Sequence, residues 1–236
     1  MKVLELGVSG LVSSFRRPMD HNYQKTFPLP PPTTLLGLAG AALGLSPEEM
    51  WRDGSKIRCL KSTALADRIP GIAKDLWKIM KIKGGKIETR SIYTRELLFF
   101  PAYTVLYTGE PKLLDELKQA FDDPAYALSI GREDELIIIS KSRLVEATSA
   151  YPEFSGTFIP LDMRAIPEER IKLILDQEGF FPAPQTVKLP VSFKVEKGIR
   201  NPEKDLFFTF IPQGLKVFVE GLEAFQTDGR AFCFWS

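Results

Sequence analysis

Three features of the sequence predict a mixed α+β fold. Strand-like and helix-like segments alternate over the first 150 residues. A strong hairpin signal interrupts them. Beyond that point helical signal is confined to one short stretch.

Taken in order, residues 2–12 (KVLELGVSGLV) alternate and are rich in β-formers, which marks a first strand. Residues 13–32 form a long loop. The stretch FPLPPPTTLLGLAGAALGL at 27–45 then opens a glycine-laced apolar helix, with Thr33 or Thr34 expected as its N-cap and Gly44 near its end. SPEE at 46–49 starts a second, short helix capped by Ser46 with Pro47 at its first position. Residues 55–66 are expected as a second strand. LWKIMKIKGGKIETRSI at 76–92 is a hairpin turning on Gly84-Gly85. Residues 96–108 make a third strand, in which Pro101 implies an edge or a bulge. PKLLDELKQAF at 111–121 places Leu113, Leu114, Leu117, Ala120 and Phe121 on one helix face, and ELIIIS at 135–140 is a fourth strand.

That order is the split βαβ plait, a ferredoxin-like (RRM-like) βαββαβ arrangement with a hairpin inserted between its second and third strands. Residues 1–150 are read as that domain and 151–236 as a β-rich C-terminal subdomain. In the second part the expected strands are KLPVSFKV, DLFFTFI, LKVFVEGL and RAFCFW, with a tight turn at Asp228-Gly229 and a helix at 166–177.

Composition excludes several classes. The 236 residues carry 31 basic and 30 acidic side chains, so a nucleic-acid reading has to rest on local clustering. One histidine and two distant cysteines, Cys59 and Cys233, give no zinc spacing and no disulfide framework. No cofactor is expected. The longest apolar run falls short of the roughly 20 residues of a membrane span, and the N-terminus lacks a signal-peptide core. The expectation is a soluble cytoplasmic protein.

Two stretches point to chemistry. With Gly84-Gly85 as the turn, Lys83 faces Lys86, Ile82 faces Ile87 and Lys81 faces Glu88. One hairpin face then carries Lys81, Lys83, Lys86 and Arg90, and the other carries Met80, Ile82 and Ile87. Residues 74–95, ending in Arg95, hold seven basic side chains against two acidic ones, a local excess in a balanced chain. A solvated edge hairpin is the plain alternative. The loop SSFRRPMDHNYQKTF brings Arg16, Arg17, His21, Tyr23 and Lys25 together ahead of the helix entry at Thr33 and Thr34. Arginines pair with phosphate, tyrosine stacks on an unpaired base, and a helix N-terminus favours an anion. Each piece alone has an ordinary structural explanation. Together they form a candidate phosphate cradle.

The stretch FPLPPPTTLLGLAGAALGL, behind a first strand and an arginine-bearing loop, resembles the N-terminal signature of CRISPR-associated protein family five. TRELLFFPAYTVLY and DPAYALSIGREDEL resemble later segments of that family. The resemblance implies a RAMP-type RNA-binding subunit of a Cascade-like antiviral complex. Such a subunit holds the five-prime handle of the CRISPR RNA, lays its thumb hairpin beside the backbone subunit and meets the large subunit. It reaches target DNA only through the complex. One branch of the family cuts precursor RNA with a tyrosine and a Lys-His pair beyond the thumb. No histidine follows His21 here, so binding without cleavage is expected. The alternative is a metal-independent endoribonuclease, whose candidate residues are Tyr23, His21 and Lys25.

Overall fold

A computed structural model describes residues 1–175 and 182–235. Its centre is a seven-stranded sheet in the order Gln185–Glu196, Ile199–Ile211, Thr157–Ile159, Lys61–Ala66, Ala102–Thr108, Lys2–Gly10, Ile137–Glu146. Every neighbouring pair is antiparallel. The four strands expected from the first 150 residues are adjacent, in the order fourth, first, third, second. Three strands from the C-terminal part extend the same sheet beyond the second strand.

Both faces of this sheet are covered. On the first strand Leu4, Leu6 and Val8 point into the main core, where they meet helices α1 (Pro32–Ala42), α2 (Pro47–Trp51) and α3 (Pro111–Asp122). Period-two alternation sends Val3 to the opposite face, against Leu65, Leu106 and Phe232 of a second cluster. Glu5 shares that face and is only 1% exposed. It accepts from Arg143 at 3.2 Å and pairs with Lys141, so the buried charge is compensated. A third cluster, around Phe154, Val217 and Cys233, lies wholly within the C-terminal part.

Most elements follow local rules. The stripe of α3 buries Leu113, Leu114, Leu117 and Phe121, each contributing roughly 1.5–3 kcal/mol relative to exposure. Ser46 and Glu49 close a reciprocal capping box on α2. Gly44 takes φ +72 just past α1, and Asp228-Gly229 turns with φ +49 and +74.

Other expectations are corrected. Neither Thr33 nor Thr34 caps α1: the N-cap is Pro31, with Pro32 at the first position and no side-chain cap bond. The residue range 96–108 is two elements. One long strand ends at Phe99, Phe100 turns with φ +51, and after Pro101 the sheet strand begins at Ala102. Of residues 55–66, only Lys61–Ala66 is strand, and Lys56–Cys59 is a 3₁₀ turn. The helix expected at 166–177 is a 3₁₀ turn at Glu168–Arg170 followed by a strand at Ile171–Leu175. There the apolar run pairs with Leu215–Val219, so tertiary pairing decides against helical propensity. Residues 176 and 177 of that expectation lie outside the described residues. The strands at 188–195 and 205–211 prove to be one long hairpin, turning on Lys197-Gly198 with φ +52 and +75.

The glycines of α1 serve different ends. A Cβ on Gly40 would strike the Met50 side chain, so Gly40 lets α2 approach. A Cβ on Gly37 would meet nothing within 4 Å. Gly37→Ala is therefore expected to stabilise the isolated chain by about 0.5–1 kcal/mol in denaturant unfolding. An unchanged midpoint would show that the position is strained in a way its open surroundings conceal.

Candidate nucleic-acid interface

The loop of residues 13–27 is a folded element. Arg16 bridges Thr26, Arg17 N–H donates to the Lys25 carbonyl at 3.1 Å, and Phe27 N–H donates to the Phe15 carbonyl at 2.8 Å. Phe15 and Phe27 are buried anchors, and the Phe27 ring stacks on Phe210 at 4.7 Å. In this small ladder adjacent residues alternate sides. Arg16 therefore turns one way, while Arg17 and Lys25 turn the other and line a common cleft.

The loop is tied to the thumb hairpin, formed by Gly71–Lys83 and Lys86–Phe99. Tyr23–Gln24 pairs in parallel with Thr94 and Arg95. The Tyr23 hydroxyl donates to Glu96 at 2.8 Å, and Thr26 N–H donates to the other Glu96 oxygen at 3.1 Å. The hydrogen bond to Glu96, first, and partial burial raise the Tyr23 pKa above its ordinary value. Lys74 sits over the ring at 5.6 Å. His21 is exposed, and its carbonyl accepts from Gln24 at 3.5 Å.

The hairpin is longer than expected and contains a bulge. Ile82 faces Ile87 and Lys83 faces Lys86, but Lys81 faces Thr89 because Glu88 is the extra residue. Everything below the bulge shifts by one. Arg90 therefore pairs with Met80 and lies on the apolar face, a correction to the sequence reading. The basic face runs from Lys83 and Lys86 at the tip through Lys81 to Trp77 and Tyr93, then Asp75 and Arg95 at the base. The opposite face carries Ile72, Leu76, Met80, Ile82, Ile87 and Ile92, each between 48% and 70% exposed, interspersed with Lys74, Lys78 and Arg90.

At the base, Arg132 stacks on the Trp77 ring at 4.2 Å, and Arg95 lies 5.2 Å from the same ring. Arg95 also donates to Asp75 at 2.8 Å. Burial, then the charges of Arg95 and Arg16, pull the Arg132 pKa below the ordinary arginine value. Two guanidinium groups thus meet on one indole, with Asp75 paired to Arg95, an arrangement that suits a stacked base and a nearby anion. Arg132 and Trp77 were missed from sequence. Their signal, GRED after a loop and a lone tryptophan in a lysine run, becomes legible only once the two segments meet.

Arg132 is placed by Gly131 and Glu135. Glu135 is buried and accepts from Ser14 N at 2.7 Å, Ser14 Oγ at 2.6 Å and Arg132 N at 2.9 Å. Gly131 has φ +114, and a Cβ there would strike Glu135 and the Ser14 carbonyl. The helix entry, by contrast, offers little to an anion. Pro31 and Pro32 have no N–H, and Thr34 N–H is given to Pro31 at 3.0 Å. Among the described residues no group of three or more His, Cys, Asp or Glu is placed to hold a metal, and no helix is long and apolar enough to cross a membrane.

The sequence profile of the family described as CRISPR-associated protein (Cas_Cas5) matches residues 3–158, more than half of the chain. The chain belongs to this family. No curated protein matches it by sequence. Among solved structures, a chain titled "CRISPR RNA-guided surveillance complex" superposes with a TM-score of 0.57 and 18% identity over 91% of both chains. A CRISPR protein from Archaeoglobus fulgidus gives 0.53 and 13% identity over 98% of both. A third, titled "Crystal structure of Cas protein", is 24% identical at a TM-score of 0.41, and this chain spans 58% of its length. The first two likenesses establish a shared mixed α+β fold for this member of the family.

Trp77→Ala should unstack Arg132 and Arg95 and weaken binding of single-stranded RNA by about 5–50-fold in fluorescence anisotropy, using roughly 1–3 kcal/mol per base stack. Equal affinity in the folded variant would remove the arginine cluster from the interface.

Proposed function

We propose that this family member is a non-catalytic RNA-binding subunit of a Cascade-type surveillance complex. It holds the five-prime handle of the CRISPR RNA and caps the backbone for antiviral defence in the cytoplasm. The observation that carries this reading is the stacking of Arg95 and Arg132 on Trp77, at the foot of a hairpin whose same face bears Lys81, Lys83 and Lys86. Cations give sequence-independent hold on a backbone, and the aromatic gives a surface for an unstacked base. The strand order fourth, first, third, second fits the ferredoxin-like plait on which such RNA-binding domains are built.

Partners follow from the other hairpin face. Six large apolar side chains are too many to leave in water on a two-stranded ribbon, and a backbone subunit packing there would cover them. The large subunit and, through the complex, target DNA complete the set. Binding without cleavage is supported by the sequence, in which no histidine follows His21.

RNA affinity is expected to fall with salt along a log–log slope of about −3 to −4, for four to six phosphates neutralised. The RNA should remain intact after long incubation in EDTA. A flat salt response with partners present, or cleavage, refutes the reading. Replacing Leu76, Met80 and Ile92 with serine should leave the isolated chain's melting temperature within a few degrees of wild type while abolishing co-purification with the backbone subunit. Undiminished co-purification would take the apolar face out of the assembly.

A further inference from the structure

The ladder between Lys61–Ala66 and Ala102–Thr108 closes at one end with the pair Lys61 and Thr108. Its other end, at Ala66 and Tyr103, leads into the thumb hairpin, about 17 Å along the strands at roughly 3.4 Å per residue. At the Lys61 end lies a cleft of about 510 Å³, within the roughly 300–1,000 Å³ of small-ligand sites. Buried Thr108 lies deepest in its lining. Half-buried Pro160, Leu206, Leu222, Phe225 and Phe234 make its walls, and exposed Cys59, Gly109 and Glu223 its rim.

One wall carries a charge. Lys61 shares the strand face of Leu65, whose cluster also takes in Phe225 and Phe234. The lysines on the flanking elements are neutralised: Lys2 reaches Asp115 at 3.1 Å and Lys56 reaches Glu116 at 3.4 Å, both on α3. Lys61 is half-buried and has no ion pair or hydrogen bond among the described residues, and Glu223 on the rim has none either. An ammonium drawn partly out of water and left without a carboxylate is a standing attraction for an anion. The lining offers one lysine and no arginine fork, which favours a carboxylate over a phosphate. A polypeptide end brings what the cleft matches: a terminal carboxylate, apolar side chains behind it, and a backbone that leaves past an exposed rim.

We propose that this cleft receives the C-terminal end of a partner polypeptide whose last residues are apolar, with the terminal carboxylate on Lys61 and a basic side chain just upstream beside Glu223. The inference does not rest on the RNA-binding reading, because the cleft and the hairpin base stand at opposite ends of the same two strands.

The test is calorimetric titration of the full chain with the peptide acetyl-Arg-Leu-Leu as the free acid, with its C-terminal amide, and with free leucine as competitor. The free acid should bind about tenfold more tightly than the amide, and equimolar leucine should not displace it. Lys61→Met removes the charge, keeps most of the stem, and should narrow the acid-to-amide ratio to within about twofold. Glu223→Gln should weaken the free acid, yet leave unchanged a peptide with alanine in place of arginine. Cys59 reports occupancy without any substitution. It is exposed whereas Cys233 is buried, so a thiol reagent labels Cys59 alone in the native chain, and the free acid should slow that labelling more than the amide does. This readout decides the matter if Lys61→Met does not fold. Equal binding of acid and amide, a preference that survives Lys61→Met, or labelling that neither peptide slows overturns the assignment. Displacement by leucine gives the cleft to free amino acids and overturns it too, as does absence of binding by the free acid at millimolar concentration.

Discussion

Two carboxylates, Glu96 and Glu135, fix the geometry on which the rest of the interface depends. Each accepts backbone and side-chain donors from the loop between the first strand and α1: Glu96 from Thr26 and Tyr23, Glu135 from Ser14 and also from Arg132. Charge-assisted bonds of this kind are about twice as strong as neutral ones. The loop is therefore clamped between the hairpin and the segment before the fourth strand. Once it is clamped, alternation along its short ladder turns Arg16 away from the cleft that Arg17 and Lys25 line. A basic loop becomes two differently equipped surfaces without any change in composition.

The sheet carries the same logic on a larger scale. Strands added from the C-terminal part widen the sheet beyond the second strand, and the Arg230–Phe232 strand helps close the face opposite the helices. The candidate nucleic-acid interface thereby lies on the hairpin and loop at the sheet's margin. The ion pairs of Glu5 with Lys141 and Arg143, shared with Asp228, seal that closed face. Burial of charge is tolerated there because two cations, Lys141 and Arg143, both reach one oxygen of the Glu5 carboxylate.

What could be read from sequence divides along the range of the interactions involved. The Gly84-Gly85 turn, the α3 stripe and the Ser46 cap are local, and each stands as expected. So is the proline lead-in, but its consequence was misjudged: prolines set the extended approach and, lacking N–H groups, also disarm the helix entry. The single extra residue at Glu88 left no mark in the sequence, yet it moved Arg90 to the other face. Arg132 and Trp77 lie 55 positions apart and meet only in the folded chain. The strand at Ile171–Leu175 defeats a helical pattern because its partner at Leu215–Val219 lies far along the chain. Charge clusters were visible as composition, whereas their division between surfaces required the ladder.

The thumb hairpin has a thermodynamic side that its shape does not display. Beyond Trp77 and Tyr93 its ladder has no third strand among the described residues, and two-stranded ribbons hold only marginally in water. The amides near Gly84-Gly85 thus belong to the least protected part of the chain, opening locally while the seven-stranded sheet stays shut. Where a partner packs on that ribbon, the cost of ordering it would be debited from the affinity gained there. A segment of this sort binds less tightly for the area it covers, and in return it can thread between partners that a rigid arm would have to approach in one orientation.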